Sequence, residues 1–398
     1  MRHLTLLPLV LTLASVLSAC GGGNDNNPAA TPSSVAVIGD MPYGTTATDA
    51  SQFVANPAFI SAINADADAS LVLHVGDIHS GKQYCTQAYN QSVASQWTAF
   101  KNPVVYTPGD NEWTDCHKIK EGGGTYNATT GAIDYKLDSS GNLVDYAGGD
   151  PVANLDLVRA IFFAKPGKAF GGDMSVHSQA QEFDSAHPTD SNYVENVWFE
   201  KSGALFVTVN VPGGSNNDTD PWYGAPSMSP AEQQEVANRS AANLRWLDTA
   251  FARAKANGDI AVVIQLQADM WDLDGSAASH ISQYKQFIDK IASLSTSFGK
   301  PVLLLNGDSH VYRSDNPLVS GASCVIEPSS GAAATACTDD AYANQPHGYN
   351  VPNFHRIVVH GSTAPMEWLK LSIDPSANAA ATTTTFGPFS WKRVQPAL

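Results

Sequence analysis

Positive charge is scarce in this chain. Its 398 residues hold 22 Lys and Arg against 38 Asp and Glu, a formal net charge of −16. Acidic surfaces repel phosphate backbones, which excludes nucleic acid as an expected partner. Long apolar runs are scarce as well. The run Leu4–Leu17 is broken by Thr5, Pro8, Thr12 and Ser15, and it is short for a bilayer span. No later stretch is long and apolar enough to cross a membrane. Internal repeats are lacking, and cysteine is limited to five residues.

What stands at the N-terminus is a processing signal. Arg2 and His3 precede the apolar run, and Leu17-Ser18-Ala19-Cys20 closes it. A basic start, an apolar middle and a small-residue end mark a secretory signal. This one resembles a bacterial lipoprotein signal, in which the cysteine becomes the first residue and carries lipid. The expected organisation is a signal peptide over 1–19, a flexible tether over 20–33 after lipidated Cys20, and one domain over 34–398. The expected location is the cell envelope, lipid-anchored at the outer membrane or periplasm. Cys85, Cys116, Cys324 and Cys337 remain, an even number in an oxidising compartment. They admit three pairings. Pairing 85–116 with 324–337 is preferred. Its second bridge closes a short loop of Ser, Gly and Ala, and its first joins two segments that each come after a strand.

Apolar strands recur, and most end in Gly-Asp. Val35–Ile38 runs into Gly39-Asp40, Leu71–Val75 into Gly76-Asp77, Val104–Thr107 into Gly109-Asp110, and Val302–Asn306 into Gly307-Asp308. Ala261–Ile264 runs instead into Gln265-Leu266-Gln267. Fully apolar runs suit sheets covered on both faces. Helices are expected at Ser51–Ala65, Thr86–Phe100, Leu155–Phe163 and Ser282–Leu294. Another opens at the capping box Ser229-Pro230-Ala231-Glu232 and runs to about Ala256. Two β pairs are expected, Tyr193–Phe199 with Ala204–Val209 and Arg356–Val359 with Trp368–Ile373. Residues 118–149 and 173–190 read as insertions with little regular structure.

One Gly-Asp after a strand means little, since an aspartate often caps the next turn or helix. Four of them at the ends of α/β strands face a shared space. Unpaired, these carboxylates raise each other's pKa values, and a divalent cation held by oxygen donors offsets the repulsion.

The order of these motifs resembles the calcineurin-like metallophosphoesterases, which include the purple acid phosphatases. That family reads Asp-x-His, Gly-Asp-x-x, Gly-Asn-His-Asp/Glu, a lone His after a strand, then Gly-His-x-His. This chain offers Gly39-Asp40-Met41-Pro42-Tyr43, Gly76-Asp77-Ile78-His79, Gly109-Asp110-Asn111-Glu112, Gln265-Leu266-Gln267 and Gly307-Asp308-Ser309-His310. The resemblance spans roughly residues 35 to 374. It implies an α/β fold, the metallophosphoesterase-like four-layer α/β/β/α sandwich with two mixed sheets. It also implies metal ligation by Asp40, Asp77 and His310, with Asp77 bridging two metals.

Several positions depart from the family pattern. Asp110 stands where the family has Asn, Asp308 replaces a His, and Gln265 or Gln267 stands where another His is expected. Pro42 replaces the first His, and Tyr43 or His79 is expected to fill its place. The resulting site is rich in oxygen, which favours Mn, Mg or Ca over Zn or Fe, with one or two ions held. Asn111 occupies the position of the family's leaving-group His. An amide hydrogen-bonds a phosphoryl oxygen but is no general acid. His79, His117 and Asp115 are the candidates for that role, and Arg313 is a candidate phosphate clamp. Glu112 is expected to hold its loop, Trp113 to wall the pocket, and Asn210 and Asn216 either to line it or to serve turns. The implied function is metal-dependent hydrolysis of a small phosphoester by a monomeric phosphatase or phosphodiesterase, metal-bound hydroxide attacking phosphorus. The alternative is a non-catalytic lipoprotein of the same fold that binds a metal, ligand or partner.

Overall fold

The computed structural model describes residues 30–171, 173–216, 221–272, 278–328, 331–337, 348–362 and 366–398. The signal expected over 1–19 and most of the tether lie outside them. Ser33, placed in the tether from sequence, is the first residue of strand β1 (Ser33–Ile38), because its backbone is in register with Ile373.

Strands and helices first alternate: β1, α1 (Ser51–Ala65), β2 (Ala69–His74), α2 (Gln87–Trp97) and β3 (Val104–Tyr106). An excursion carries a hairpin, β4 (Gly124–Asn127) with β5 (Ala132–Tyr135), and leads to α3 (Pro151–Phe162). Then come β6 (His177–Ser178), β7 (Val197–Lys201), β8 (Ala204–Thr208), α4 (Pro230–Asn257), β9 (Ala261–Gln265), α5 (Ala278–Phe298) and β10 (Val302–Asn306). The chain closes with β11 (Arg313–Asp315), β12 (Val325–Ile326), β13 (Thr335–Ala336), β14 (Phe354–Val358), β15 (Trp368–Ile373), β16 (Thr385–Phe386) and β17 (Phe389–Val394).

These strands make two mixed sheets. The first has the order β16-β17-β15-β1-β2-β3, and the second β13-β12-β11-β14-β10-β9-β8-β7-β6. Side chains alternate across each strand, which explains why the runs are apolar throughout. Val35, Val37, Leu71 and Leu73 meet Val263, Leu303, Leu305 and Ile357 between the sheets. Ala36, Ile38 and Val72 face outward onto Phe59 and Ile63 of α1, Val93 and Trp97 of α2, and Val158 of α3. Val262, Ile264, Val302 and Leu304 face outward from the second sheet onto Trp246 and Phe251 of α4 and Phe287 and Ile291 of α5. The four layers implied by the motif order are present.

Three readings are corrected. β14 and β15 are not partners. β14 runs parallel to β10, while β15 runs antiparallel to β1 in the other sheet, so the chain changes sheets between them. The 118–149 excursion holds the β4–β5 hairpin, whose pairing the weak periodicity concealed. Residues 193–196 precede β7 and lie outside it.

Leu303 is wholly buried between the sheets. Leu303→Ala leaves a cavity that neither rigid sheet can close, and is expected to cost about 2–5 kcal/mol. Chemical denaturation checks this. A loss under about 1 kcal/mol would mean the two sheets slide to refill the space.

Candidate metal centre

The strand ends gather the acidic turns at one edge of the sandwich. β1 delivers Asp40, β2 delivers Asp77 and β3 delivers Asp110, all from the first sheet, while β10 delivers Asp308 and His310 from the second. The edge is thus shared by two sheets. Asp40, Asp77, Asp308 and His310 have φ of 51°, 61°, 75° and 66°. Residues other than glycine rarely adopt these values, and such strain concentrates at functional sites. The preceding glycines are required by proximity: a Cβ on Gly109 would overlap Asp77 Oδ1, and one on Gly307 would overlap Asp40 Oδ2.

Asp40, Asp77 and His310 each offer one ligand atom, all within 4.8 Å of one another. Asp77 Oδ2 accepts from Tyr43 Oη at 2.6 Å and from Asn111 Nδ2 at 2.7 Å, and Oδ1 accepts from the Asn111 amide at 3.2 Å. Asp40 Oδ1 accepts from the Asp308 amide at 2.9 Å, while its Oδ2 is buried with no partner among the described residues. His310 Nε2 stands 3.6 Å from Asp40 Oδ1 and 3.1 Å from Tyr43 Oη. Asp110 Oδ1 accepts from Gln267 Nε2 at 3.0 Å, and Asp308 Oδ2 accepts from the Asp269 amide at 2.9 Å.

A second tier fixes these loops. Glu112, fully buried, accepts from the amides of Gly109 (2.6 Å), Asp77 (3.2 Å) and Ile78 (3.4 Å) and from the Tyr106 hydroxyl. It therefore ties the β2 turn to the β3 turn. The Cys85–Cys116 disulfide closes the same two segments, with Cα atoms 5.7 Å apart, and Cys324–Cys337 forms the other bridge. Behind Asp308, Asp269 accepts from Ser309 Oγ at 2.9 Å and pairs with Arg356, which pairs in turn with Asp315 at 2.7 Å.

Burial, followed by the charges of neighbouring carboxylates, raises Asp40, Asp77 and Asp308 well above the ordinary carboxyl range. Burial and then Asp115 push Asp110 up to about 6, and burial pushes Glu112 to about 7. Clustered acidic oxygens that repel each other, one of them a buried orphan, fit a divalent cation. Asp40, Asp77 and His310 would hold it, with Asp110 and Asp308 adjacent.

A cleft of about 340 Å³ opens over this group, lined among others by Tyr43, Asp77, Asp110, Asn111, Asp308 and His310. Other candidates lie elsewhere. Gln265 Nε2 donates across the sandwich to His74 O (2.8 Å) and Val105 O (3.3 Å), so its amide joins the two sheets. Gln267 reaches Asp110, but its Oε1 is taken by the Gly213 amide and is not free for a metal. His79 is fully buried beside the Tyr89 ring, its Nε2 3.7 Å from Cys85 Sγ, because the left-handed turn at Asp77 sends the chain inward. His117 is buried with Nε2 3.7 Å from Glu232 Oε1 of α4. Arg313 is spent on Asp315 at 2.6 Å. Trp113 is core, under the Arg239 guanidinium 5.1 Å from its ring centre. Asn210 donates to Glu195 and Asn216 bonds Arg239 and Ser240, so neither lines the cleft. The lysines Lys82, Lys118 and Lys120 do line it and escaped notice in the sequence. Their signal was available in part: Lys118 stands three residues after Asp115 and pairs with it.

The sequence model of the calcineurin-like phosphoesterase family matches residues 33–247. That range holds Asp40, Asp77 and Asp110. No curated protein matches the chain. Among solved structures, a purple acid phosphatase from seeds of yellow lupin (Lupinus luteus) is 14% identical, with a TM-score of 0.36. The match covers 86% of this chain and 49% of that one, so this chain spans about half the length of the lupin protein.

A carboxyl whose pKa is higher folded than unfolded keeps a proton that unfolding releases. The metal-free protein therefore gains stability as pH falls through about 7 and 6 toward the ordinary range near 4. Its melting temperature is expected to be higher at about pH 6 than at about pH 8, with Asp110→Asn flattening the slope. Thermal unfolding in chelator checks this; a slope of opposite sign would contradict the repulsion argument.

Proposed function

This chain belongs to the calcineurin-like phosphoesterase family, and on that premise we propose that it is a working hydrolase for small phosphoesters. The observation that carries the proposal is the meeting of Asp40, Asp77 and His310 within 4.8 Å, with Asp77 and His310 lining an open cleft. A divalent cation bound there supplies water acidified toward neutral pH and neutralises charge developing on the phosphoryl group. The remaining work falls to the chain. Asn111 Nδ2, now shared between Tyr43 Oη at 2.5 Å and Asp77, is the donor placed to orient a phosphoryl oxygen. Tyr43, raised well above its ordinary pKa by burial and then Asp77, stays protonated and donates beside it. Neither group is an acid near neutrality, so esters with good leaving groups are favoured. The oxygen-rich donor set supports Mn, Mg or Ca over Zn or Fe.

Location is part of the same proposal. The leader ending at Cys20 and the four paired cysteines support a lipid-anchored protein of the bacterial cell envelope, at the outer membrane or periplasm. A second reading, a metal-binding relative without turnover, draws on one observation: His79, His117 and Arg313 all point away from the cleft.

The soluble domain is expected to hydrolyse p-nitrophenyl phosphate or its bis ester with Mn²⁺ or Mg²⁺. Asp77→Asn is expected to lower kcat/KM by at least about a hundredfold. Full activity in that variant would overturn the assignment. Absence of turnover on either ester, with stabilisation by Mn²⁺ retained, would move the conclusion to the second reading.

A further inference from the structure

Resting on the phosphoester reading, we propose that the mouth of the cleft is a second anion subsite. Lys82, Lys118 and Lys120 build it, and the preferred substrate is a phosphoester carrying a further anionic group.

The lining of the cleft is the first observation. Among the described residues, Tyr43 and His310 contribute the rings and no aliphatic side chain contributes. Such walls offer little to an acyl chain, which needs aliphatic contact. The second observation is where the positive charge sits. In a chain with 14 lysines and a net charge of −16, three lysines share this one cleft. Lys118 and Lys120 are both anchored on Asp115, Lys120 at 3.4 Å, and Asp115 is only 1% exposed. One carboxylate thus holds two ammonium groups in place at the edge of the cleft. Lys82 Nζ makes no hydrogen bond or ion pair among the described residues, so its charge also faces the opening. Once cations neutralise the acidic floor, Lys82 and Lys120 leave the mouth positive.

Gly81 joins floor to mouth. A Cβ there would stand 2.5 Å from Asn111 Oδ1 and 3.2 Å from Lys120 Nζ. Asp115 Oδ2 lies 3.2 Å from the same point, so the floor and the lysines pack against one glycine and lie within reach of one small molecule. Because Asn111 and the three lysines line one cleft, a phosphoryl group beside Asn111 can carry its second anion to the lysines. The simpler account is that the lysines only screen the acidic floor. In that case their removal would tighten metal binding and leave substrate preference untouched.

The test uses metal-loaded protein with glucose phosphate and glucose bisphosphate as probes. Calorimetric affinity and initial rates are measured for wild type, Lys82→Gln and the double variant Lys82→Gln/Lys120→Gln. Metal affinity of each protein is measured alongside. Charge-assisted contacts predict about a tenfold preference for the bisphosphate in wild type, falling toward parity in the double variant. No preference in wild type, or a preference that survives both substitutions, overturns the subsite. Tighter metal binding in the double variant with an unchanged ratio does the same and establishes screening. Preferential binding without turnover supports the subsite and removes the hydrolase reading. Turnover without preference does the reverse.

Discussion

Mutual repulsion among buried carboxylates is the constraint on which the rest of this molecule depends. Asp40, Asp77, Asp110 and Asp308 converge at an edge that two separate sheets share, and none has a cationic side chain at salt-bridge distance among the described residues apart from His310 near Asp40. Folding a chain around such a cluster is unfavourable unless protons or metal ions offset the charge. The surroundings are arranged to tolerate it. Backbone amides of Asn111, Asp308 and Asp269 point at the carboxylate oxygens, and Gln267 donates to Asp110. Tight glycine turns let the carboxylates rest against neighbouring backbone.

Rigidity is the other half of the arrangement. Glu112 and the Cys85–Cys116 bridge lock the second and third turns together, so Asp77 and Asp110 cannot separate to relieve their repulsion. The buried Asp269–Arg356–Asp315 chain does the same for Asp308. The two sheets are held in register by an extensive apolar interface and, near the site, by the Gln265 amide reaching from one sheet to backbone carbonyls of the other. A preorganised cluster of this kind loses little on binding a cation, whereas a flexible one would have to be ordered first.

Much of this was legible in sequence. The α1 and β10 limits coincide with the apolar runs read from the chain, and the Ser229–Glu232 capping box opens α4 as its residues dictate. Asp40, Asp77, Asp110, Asn111, Asp308, His310 and Tyr43 are brought together because each comes just after a strand end, and strand ends share an edge. The misplaced histidines share one cause: nearness in sequence is not nearness in space. His79 is two residues from Asp77 and His117 two from Asp115, yet a left-handed turn and a short irregular segment put both in the interior. Gln265 and Gln267 share the parity of Ala261 and Val263, so strand alternation does not separate them; the end of β9 at Gln265 does, leaving Gln267 in the turn beside Asp110. The short strands β6, β11, β12, β13 and β16 span two or three residues and have no periodicity to detect. The pairing of β15 with β1 depends on contacts more than 330 residues apart, which no local pattern encodes.

The central claim is that this carboxylate cluster exists to hold metal. Equilibrium dialysis of the purified protein against Mn²⁺, with metal counted per chain, tests it most directly. Wild type is expected to retain one or two ions and to lose binding when Asp40 and Asp77 are both changed to Asn. A wild-type protein that retains no Mn²⁺, Mg²⁺, Ca²⁺ or Zn²⁺ would contradict it and reduce the four turns to caps on strand ends.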